Sequence, residues 1–257
     1  MIHKVPVILL VGGESSRFQS FINEKPYPKS LNKINKKSLI EYVFKNFIDY
    51  KYNNFILPLG NYSKEFLKFF NNKKKIFNKH VNIFYSNNKN KQVYNFNDSI
   101  NIFLINTGKN TNKAKRIKIC IEYFKLKDFL ISYGDGVGDI NLNKLYKQHQ
   151  TSKSFITAAG YIPNSQYGHF YLKHNKVIDI IEKPKLNEWV IIGYIYCNSK
   201  TIKYFDKYFK YDLEMGIMKK ISKLKKLSIF KHKGFWKSVD TKKDLYELIN
   251  YLEKKKL

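Results

Sequence analysis

"DFLISYGDGVGDINLNKLYKQH", residues 128–149, passes from a strand pattern to a helix pattern through a glycine-rich turn. It opens on an apolar run, Phe129 to Tyr133, suited to a strand covered on both faces, and from Leu142 it has the spacing of a helix. Between them the chain breaks into Gly134, Asp135, Gly136, Val137, Gly138 and Asp139. A strand that turns directly into a helix is part of a βαβ unit, and in sheets built from such units ligands lie beyond the carboxyl ends of the strands. Asp135 is therefore expected in a cleft, where a hard carboxylate suits Mg²⁺ that also binds phosphate oxygens. Asp139 is read as the cap of the helix that follows.

The same alternation extends in both directions. "VPVILLV" is a continuous apolar run, a strand, and "SLIEYVFKNFIDY" carries Leu39, Ile40, Val43, Phe44 and Phe47 on one helical face. "NNFILPLG", "VNIFYS" and "INIFLINTG" read as strands; "SKEFLKFFNN" and "AKRIKICIEYF" read as helices. The pattern predicts right-handed βαβ units and a mixed, mostly parallel sheet flanked by helices, an α/β fold. After about residue 153 the texture changes: "SFITAAGY", "GHFYLKHNKVIDIIEKP" with a turn at "KHNK", and "WVIIGYIYCN" follow one another as strands, so antiparallel strands are expected in the second half. Helices are predicted over Ser199 to Leu224 and Thr241 to Lys255, with "KLSIFKHKGFWKSV" as one more strand between them. With 257 residues, 43% of them apolar, and no linker or repeat, residues 1–257 are read as one domain.

Composition narrows the function. A formal charge of +28 attracts polyanions, but of the 48 basic residues only Arg17 and Arg116 are arginine, whose planar fork is what base and phosphate readers favour. Lysine is spread along the whole chain with Asn, Ile, Tyr and Phe, so solvated faces explain it better than nucleic-acid binding, and anionic, phosphorylated small substrates are expected instead. The apolar run near the start, Val5 to Val11, is too short for a bilayer and has no cleavage site, so a cytoplasmic protein without membrane contact is expected. Cys120 and Cys197 lack metal-ligand spacing and read as reduced core residues.

Further strand ends carry chemistry. In "LLVGGESSRF", Gly12 and Gly13 let backbone N–H groups approach a phosphate or a base, and Arg17 can neutralise a polyphosphate. Lys25, in "EKPYPKSL", sits in a proline-stiffened loop as a second cation. "VIDIIEKPK" puts Glu182 and Lys183 before Pro184, where lysine can hold a monophosphate and glutamate can accept sugar hydroxyls; a plain surface turn is the alternative. "GFWKSVDTKKD" ends at Asp240, either a second carboxylate on the metal or a helix N-cap.

Taken together, "LLVGGESSR…EKPYPKSL", "NTGKN…KRIK", "SYGDGVGD", "YGHFYL…IIEKPK", "IIGYIYCN" and "HKGFWKSVDT" resemble the sugar-1-phosphate nucleotidylyltransferases, from about residue 5 to residue 250. Tyr-Gly-Asp-Gly-Val with a following Asp, and Gly-Phe-Trp with a following Asp-Thr, are most similar to the glucose-1-phosphate cytidylyltransferase branch. The resemblance implies a Rossmann-like nucleotidyltransferase fold, with a nucleotide-binding half at 1–152 and a sugar-phosphate-binding half at 153–257. It implies that CTP and α-D-glucose 1-phosphate give CDP-glucose and pyrophosphate, for surface polysaccharides such as the O-antigen of lipopolysaccharide, with Mg²⁺ as cofactor and with self-association into a homo-oligomer. Leu10, Gly12, Gly13, Gly60 and Gly134 match nucleotide-binding positions, with Arg17 and Lys25 the catalytic cations on the triphosphate. Tyr167, Gly168, Glu182, Lys183 and Gly193 match sugar-phosphate contacts, and Asp135 and Asp240 match the metal ligands. Ser15 stands where the family's loop has a glycine, Lys113-Ala114-Lys115 precedes Arg116 where it has Thr-Gly-Gly, and Ile192 stands where an asparagine contacts the sugar. UTP or dTTP, another sugar 1-phosphate, or a non-catalytic nucleotide- or nucleic-acid-binding role therefore stay open.

Overall fold

The computed structural model describes residues 5–13, 27–71, 73, 75–77, 79–86 and 99–255. Strand β1 (Val7–Leu10) is followed, among these residues, by a one-turn helix at Lys29–Leu31 and a small hairpin of β2 (Lys33–Ile34) and β3 (Lys37–Ser38). Ser38 and Glu41 then form a reciprocal capping box that starts α1 (Leu39–Asp49). The chain continues through β4 (Asn54–Leu59), α2 (Ser63–Asn71), β5 (Lys75–Ile76), β6 (Lys79–Ser86) and β7 (Ile100–Asn106). Next come α3 (Lys113–Phe124), capped by the Asn112 side chain, β8 (Phe129–Tyr133), the short β9 (Gly136–Gly138) and α4 (Leu142–Ser152). The second half adds β10 (Ile156–Tyr161), the hairpin β11 (His169–Lys173) and β12 (Lys176–Ile181), and β13 (Val190–Cys197). It closes with α5 (Ile202–Tyr208), a wide helical turn at Leu213–Met218, α6 (Lys219–Lys223), β14 (Leu227–Lys231), β15 (Trp236–Ser238) and α7 (Lys242–Lys254).

One nine-stranded sheet runs through both halves in the order β14-β10-β13-β8-β1-β4-β7-β6-β5. β1 pairs in parallel with β4 on one side and β8 on the other, and β13 lies antiparallel between β8 and β10. The sheet is mixed and mostly parallel, as expected. Both of its faces are covered, and this is why the strands read as unbroken apolar runs. Val7, Leu9 and Leu57 point to the side packed by Phe44 and Phe47 of α1 and Phe66 of α2. Ile8, Ile56 and Ile131 point the other way, against Ile117, Cys120 and Ile121 of α3 and Phe205 of α5. Because the chain crosses from one side of β1 to the other between β7 and β8, a topological switch point opens between the ends of β1 and β8.

Three expectations need correction. The helix predicted over Ser199 to Leu224 is broken: Asp212 is extended, with φ −70° and ψ 162°, and a new helical turn starts after it. "KLSIFKHKGFWKSV" is two strands, because the chain leaves the main sheet at His232, whose N–H makes a last bond to the Gly160 carbonyl at 2.8 Å, and β15 pairs with β9 instead. Asp139 does not cap α4. Asn141 does so, and Asp139 accepts from the Phe235 N–H at 2.8 Å, fastening the loop before β15.

His149 on α4 is buried, with Nδ1 2.9 Å from the Thr157 hydroxyl and its ring 4.6 Å from that of Tyr196. Burial depresses its pKa to about 4, against a weaker opposing pull from Asp128. The unfolded chain therefore takes up this proton first, near pH 6.5, and stability falls as pH drops from there towards 4, by up to about 1.4 kcal/mol per unit. Urea unfolding at pH 7 and pH 5 is expected to show this loss in the wild type and a smaller one in His149→Gln.

Candidate active site

The switch point holds a cavity of about 950 Å³. Its walls come from the ends of β1 and β8, the N-terminus of α3 and the segment around β15. What brings the last of these in is the β9–β15 ribbon, in which Gly136 pairs with Ser238 and Gly138 with Trp236. A Cβ on Gly136 would lie 3.0 Å from the indole nitrogen of Trp236, and one on Gly138 would lie 3.0 Å from the Phe235 carbonyl oxygen. These glycines of the opening stretch thus admit a neighbouring strand. Trp236 Nε1, buried beside them, has no hydrogen-bond partner among the described residues.

The ribbon delivers Asp135 and Asp240 to one point. The Val239 N–H donates to the Asp135 carbonyl at 3.3 Å, and the two side chains meet on the ammonium of Lys29, 2.7 Å from Asp135 Oδ2 and 2.9 Å from Asp240 Oδ1. Ser238 Oγ donates to Asp240 Oδ2 at 3.0 Å. Asp240 is available for this because Thr241, in a capping box with Asp244, caps α7. Burial works against the charge on Lys29, but the two carboxylates outweigh it and hold the ammonium above the usual lysine range. Two carboxylates on one cation are a donor set that fits Mg²⁺, which takes one or two protein carboxylates and completes its shell with water and substrate phosphates. Among the described residues no cluster of three or more His, Cys, Asp or Glu side chains could hold a metal by itself.

Beneath the glycine loop lies Arg116, buried on the first turns of α3. Nη1 donates to the Leu59 carbonyl at 3.0 Å and the Thr107 hydroxyl at 2.6 Å, and Nη2 donates to the carbonyls of Lys109 at 3.0 Å and Gly12 at 3.4 Å. No carboxylate pairs with it among the described residues. A Cβ on Gly12 would stand 2.8 Å from Cζ of this guanidinium, and one on Gly60 would collide with it. The missing side chains at Gly12 and Gly60 are thus required by the arginine. Gly13 faces open space at the cavity.

A second charged group forms the wall next to Tyr133. Lys113 pairs with Glu214 at 2.6 Å and Asp212 at 3.1 Å, and the Tyr133 hydroxyl donates to Glu214 Oε1 at 2.6 Å. Burial raises the Glu214 pKa, but the Lys113 and Tyr133 contacts outweigh it and hold the carboxylate below its usual range. Gly193, at φ +82°, lies behind Tyr133, where a Cβ would be 3.2 Å from the ring.

Of the residues expected in the site, Leu10, Gly12, Gly13, Gly134, Asp135 and Asp240 line the cavity. Arg17 and Lys25 lie outside the described residues. Tyr167, Gly168, Glu182 and Lys183 belong to the β11–β12 hairpin and its ends; they are exposed, Lys183 pairs with Glu182 at 2.5 Å, and none of them lines the cavity. Ile192 points into the core, and Ile191 faces the cavity instead, since side chains alternate along β13. Lys29, Arg116, Asp212, Glu214 and Trp236 were not singled out as site residues from the sequence. The sequence reading takes Lys25 as the cation of the proline-flanked loop and passes over Lys29, four residues on; Asp212 and Glu214 become visible only through the break in the predicted helix.

The nucleotidyl transferase family model matches residues 6–255. A protein of Bacillus subtilis (strain 168) described as a probable glucose-1-phosphate cytidylyltransferase is 28% identical over 242 residues, 94% of this chain and 93% of its own. Among solved structures, apo UDP-glucose pyrophosphorylase superposes with a TM-score of 0.68 at 14% identity, covering 99% of this chain and 100% of its own. A putative glucose-1-phosphate thymidylyltransferase from Bacillus anthracis gives 0.66 at 15% identity, covering 96% and 94%. These structures share the fold, and the family match spans the sheet, the glycine loop and both carboxylates of the cleft. The chain is a member of the nucleotidyl transferase family, and it is an enzyme.

Proposed function

We propose that the cleft couples a nucleoside triphosphate to a sugar 1-phosphate, with CTP and α-D-glucose 1-phosphate as the pair, giving CDP-glucose and pyrophosphate. The observation that carries this reading is the convergence of Asp135 and Asp240, distant in the chain, on one cation position beside a glycine loop that is backed by a buried guanidinium. The B. subtilis relative, matched over 94% of this chain, favours the cytidylyl branch. The uridylyl and thymidylyl names among the structural neighbours keep base choice a matter for assay.

In this reaction a phosphate oxygen of the sugar attacks the α-phosphorus, a new P–O bond forms, and the bond to the β-phosphate oxygen breaks with its electron pair leaving on pyrophosphate. The attacking phosphate is already an anion at neutral pH, so no general base is needed and the task is to hold two polyanions together in line. Asp135 and Asp240 would hold Mg²⁺, which when bound neutralises phosphate oxygens. Lys29 sits within reach of the same oxygens, the backbone at Gly12 and Gly13 can approach the triphosphate, and the α3 N-terminus faces the cavity with its positive end. Arg116 adds a positive charge that no carboxylate among the described residues balances. Arg17 and Lys25 belong to this reading through the family resemblance, as do Glu182, Lys183, Tyr167, Gly168 and Gly193 for the sugar phosphate.

Pyrophosphate release with Mg²⁺, each nucleoside triphosphate in turn and a panel of sugar 1-phosphates is expected to be fastest with CTP and glucose 1-phosphate. Absence of turnover with every pair would sink the reading, and a faster UTP or dTTP reaction would move it to that base. Asp240→Asn is expected to lower kcat by on the order of 100-fold or more, as for the loss of one preorganised electrostatic contact. Arg116→Lys leaves buried carbonyls without donors and is expected to cost about 1–3 kcal/mol in denaturant unfolding and to raise the KM for the triphosphate.

A further inference from the structure

We propose that Lys29 is an exchangeable resident of the cation position: its ammonium holds Asp135 and Asp240 together while no divalent ion is bound and gives them up when one enters. The proposal rests on the reading of these carboxylates as the metal ligands.

The geometry carries it. Lys29 enters between the carboxylates from the protein side: its side chain is only 9% exposed, whereas those of Asp135 and Asp240 are 38% and 35% exposed towards the cavity. Each carboxylate gives one oxygen to the same nitrogen, at 2.7 and 2.9 Å, so the ammonium stands where an ion bridging them would stand. Mg²⁺ requires its oxygens at about 2.0–2.1 Å. The two cations cannot share the position, and the carboxylates must close in by more than half an ångström when one replaces the other. Without any cation, two carboxylates fixed this close would repel. Lys29 thus keeps the site assembled, and it also competes with free metal. The apparent metal affinity is reduced by the fraction of time the lysine occupies the site. Once displaced, the ammonium remains on its one-turn helix at Lys29–Leu31, at the edge of the cavity, where a bound triphosphate would offer it oxygens. Metal and nucleotide would then bind cooperatively, each making the lysine's move less costly for the other.

The test is Mn²⁺ binding to the whole protein, followed by electron paramagnetic resonance without nucleotide. Lys29→Gln removes the competitor and is expected to bind Mn²⁺ on the order of tenfold more tightly than wild type. Lys29→Arg keeps the charge and forks across both carboxylates, so it preserves the fold and is expected to bind Mn²⁺ more weakly than wild type. Lys113→Gln removes a cavity cation that pairs with Asp212 and Glu214, and is expected to leave Mn²⁺ affinity within twofold of wild type. Equal tightening in Lys29→Gln and Lys113→Gln would mean a long-range charge effect and would overturn the exchange, as would wild-type affinity in both Lys29 variants. If none of these proteins holds Mn²⁺ even with CTP present, the metal reading itself fails, and the proposal with it. A Lys29→Gln protein that does not fold leaves Lys29→Arg to decide: Mn²⁺ binding no weaker than wild type overturns the exchange.

Discussion

Two ionised carboxylates brought together in a partly buried cleft repel each other unless a cation stands between them. At an effective dielectric constant of about 20, like unit charges about 4 Å apart repel by about 4 kcal/mol. Asp135, Asp240 and Lys29 meet this constraint as a triad drawn from the end of β8, the segment after β15 and a one-turn helix in the first half of the chain. The short β9–β15 ribbon makes the meeting possible, and its glycines make the ribbon possible by admitting Trp236. Backbone pairing, side-chain packing and charge thus form one dependency.

The floor of the cleft follows a parallel logic. Arg116 reaches across the ends of β1, β4 and β7 and donates to oxygens beside each, at Gly12, Leu59 and Thr107. It ties three strand ends into one rigid platform, and glycine at 12 and 60 is the condition for its doing so. Burial pulls the guanidinium below its usual pKa range, against a weaker opposing pull from Cys120, and the arginine stays ionised. A polyanion in the cavity would meet a surface already positive underneath.

Much of the fold was legible in the sequence because apolar runs and helical spacing are local signals. Phe129–Tyr133, Val7–Leu10 and Leu39–Asp49 form the elements their patterns predict, and the family motifs located both carboxylates that line the cavity. What could not be read has a common cause. Asp139 and Asn141 are equally good caps by composition, and only the position of Phe235 decides which one is used elsewhere. Ile191 and Ile192 differ by one step along a strand, so a register set by β8 and β10 determines which faces the cavity. Lys29 is chemically the equal of many other lysines until two carboxylates are brought to it.

The alternation of strand and helix, the turn after β8 with its carboxylate, and membership of a chemical family all depend on residues close together in the chain, and could be read before any fold was seen. Folding is what places Lys29 between Asp135 and Asp240, Arg116 in the space under Gly12 and Gly60, and Asp212 and Glu214 at the cavity wall. Contacts between distant segments depend on how the sheet is ordered and how its edges are fastened, and the energy of a charge depends on what burial places beside it. Neither quantity exists until the chain has folded.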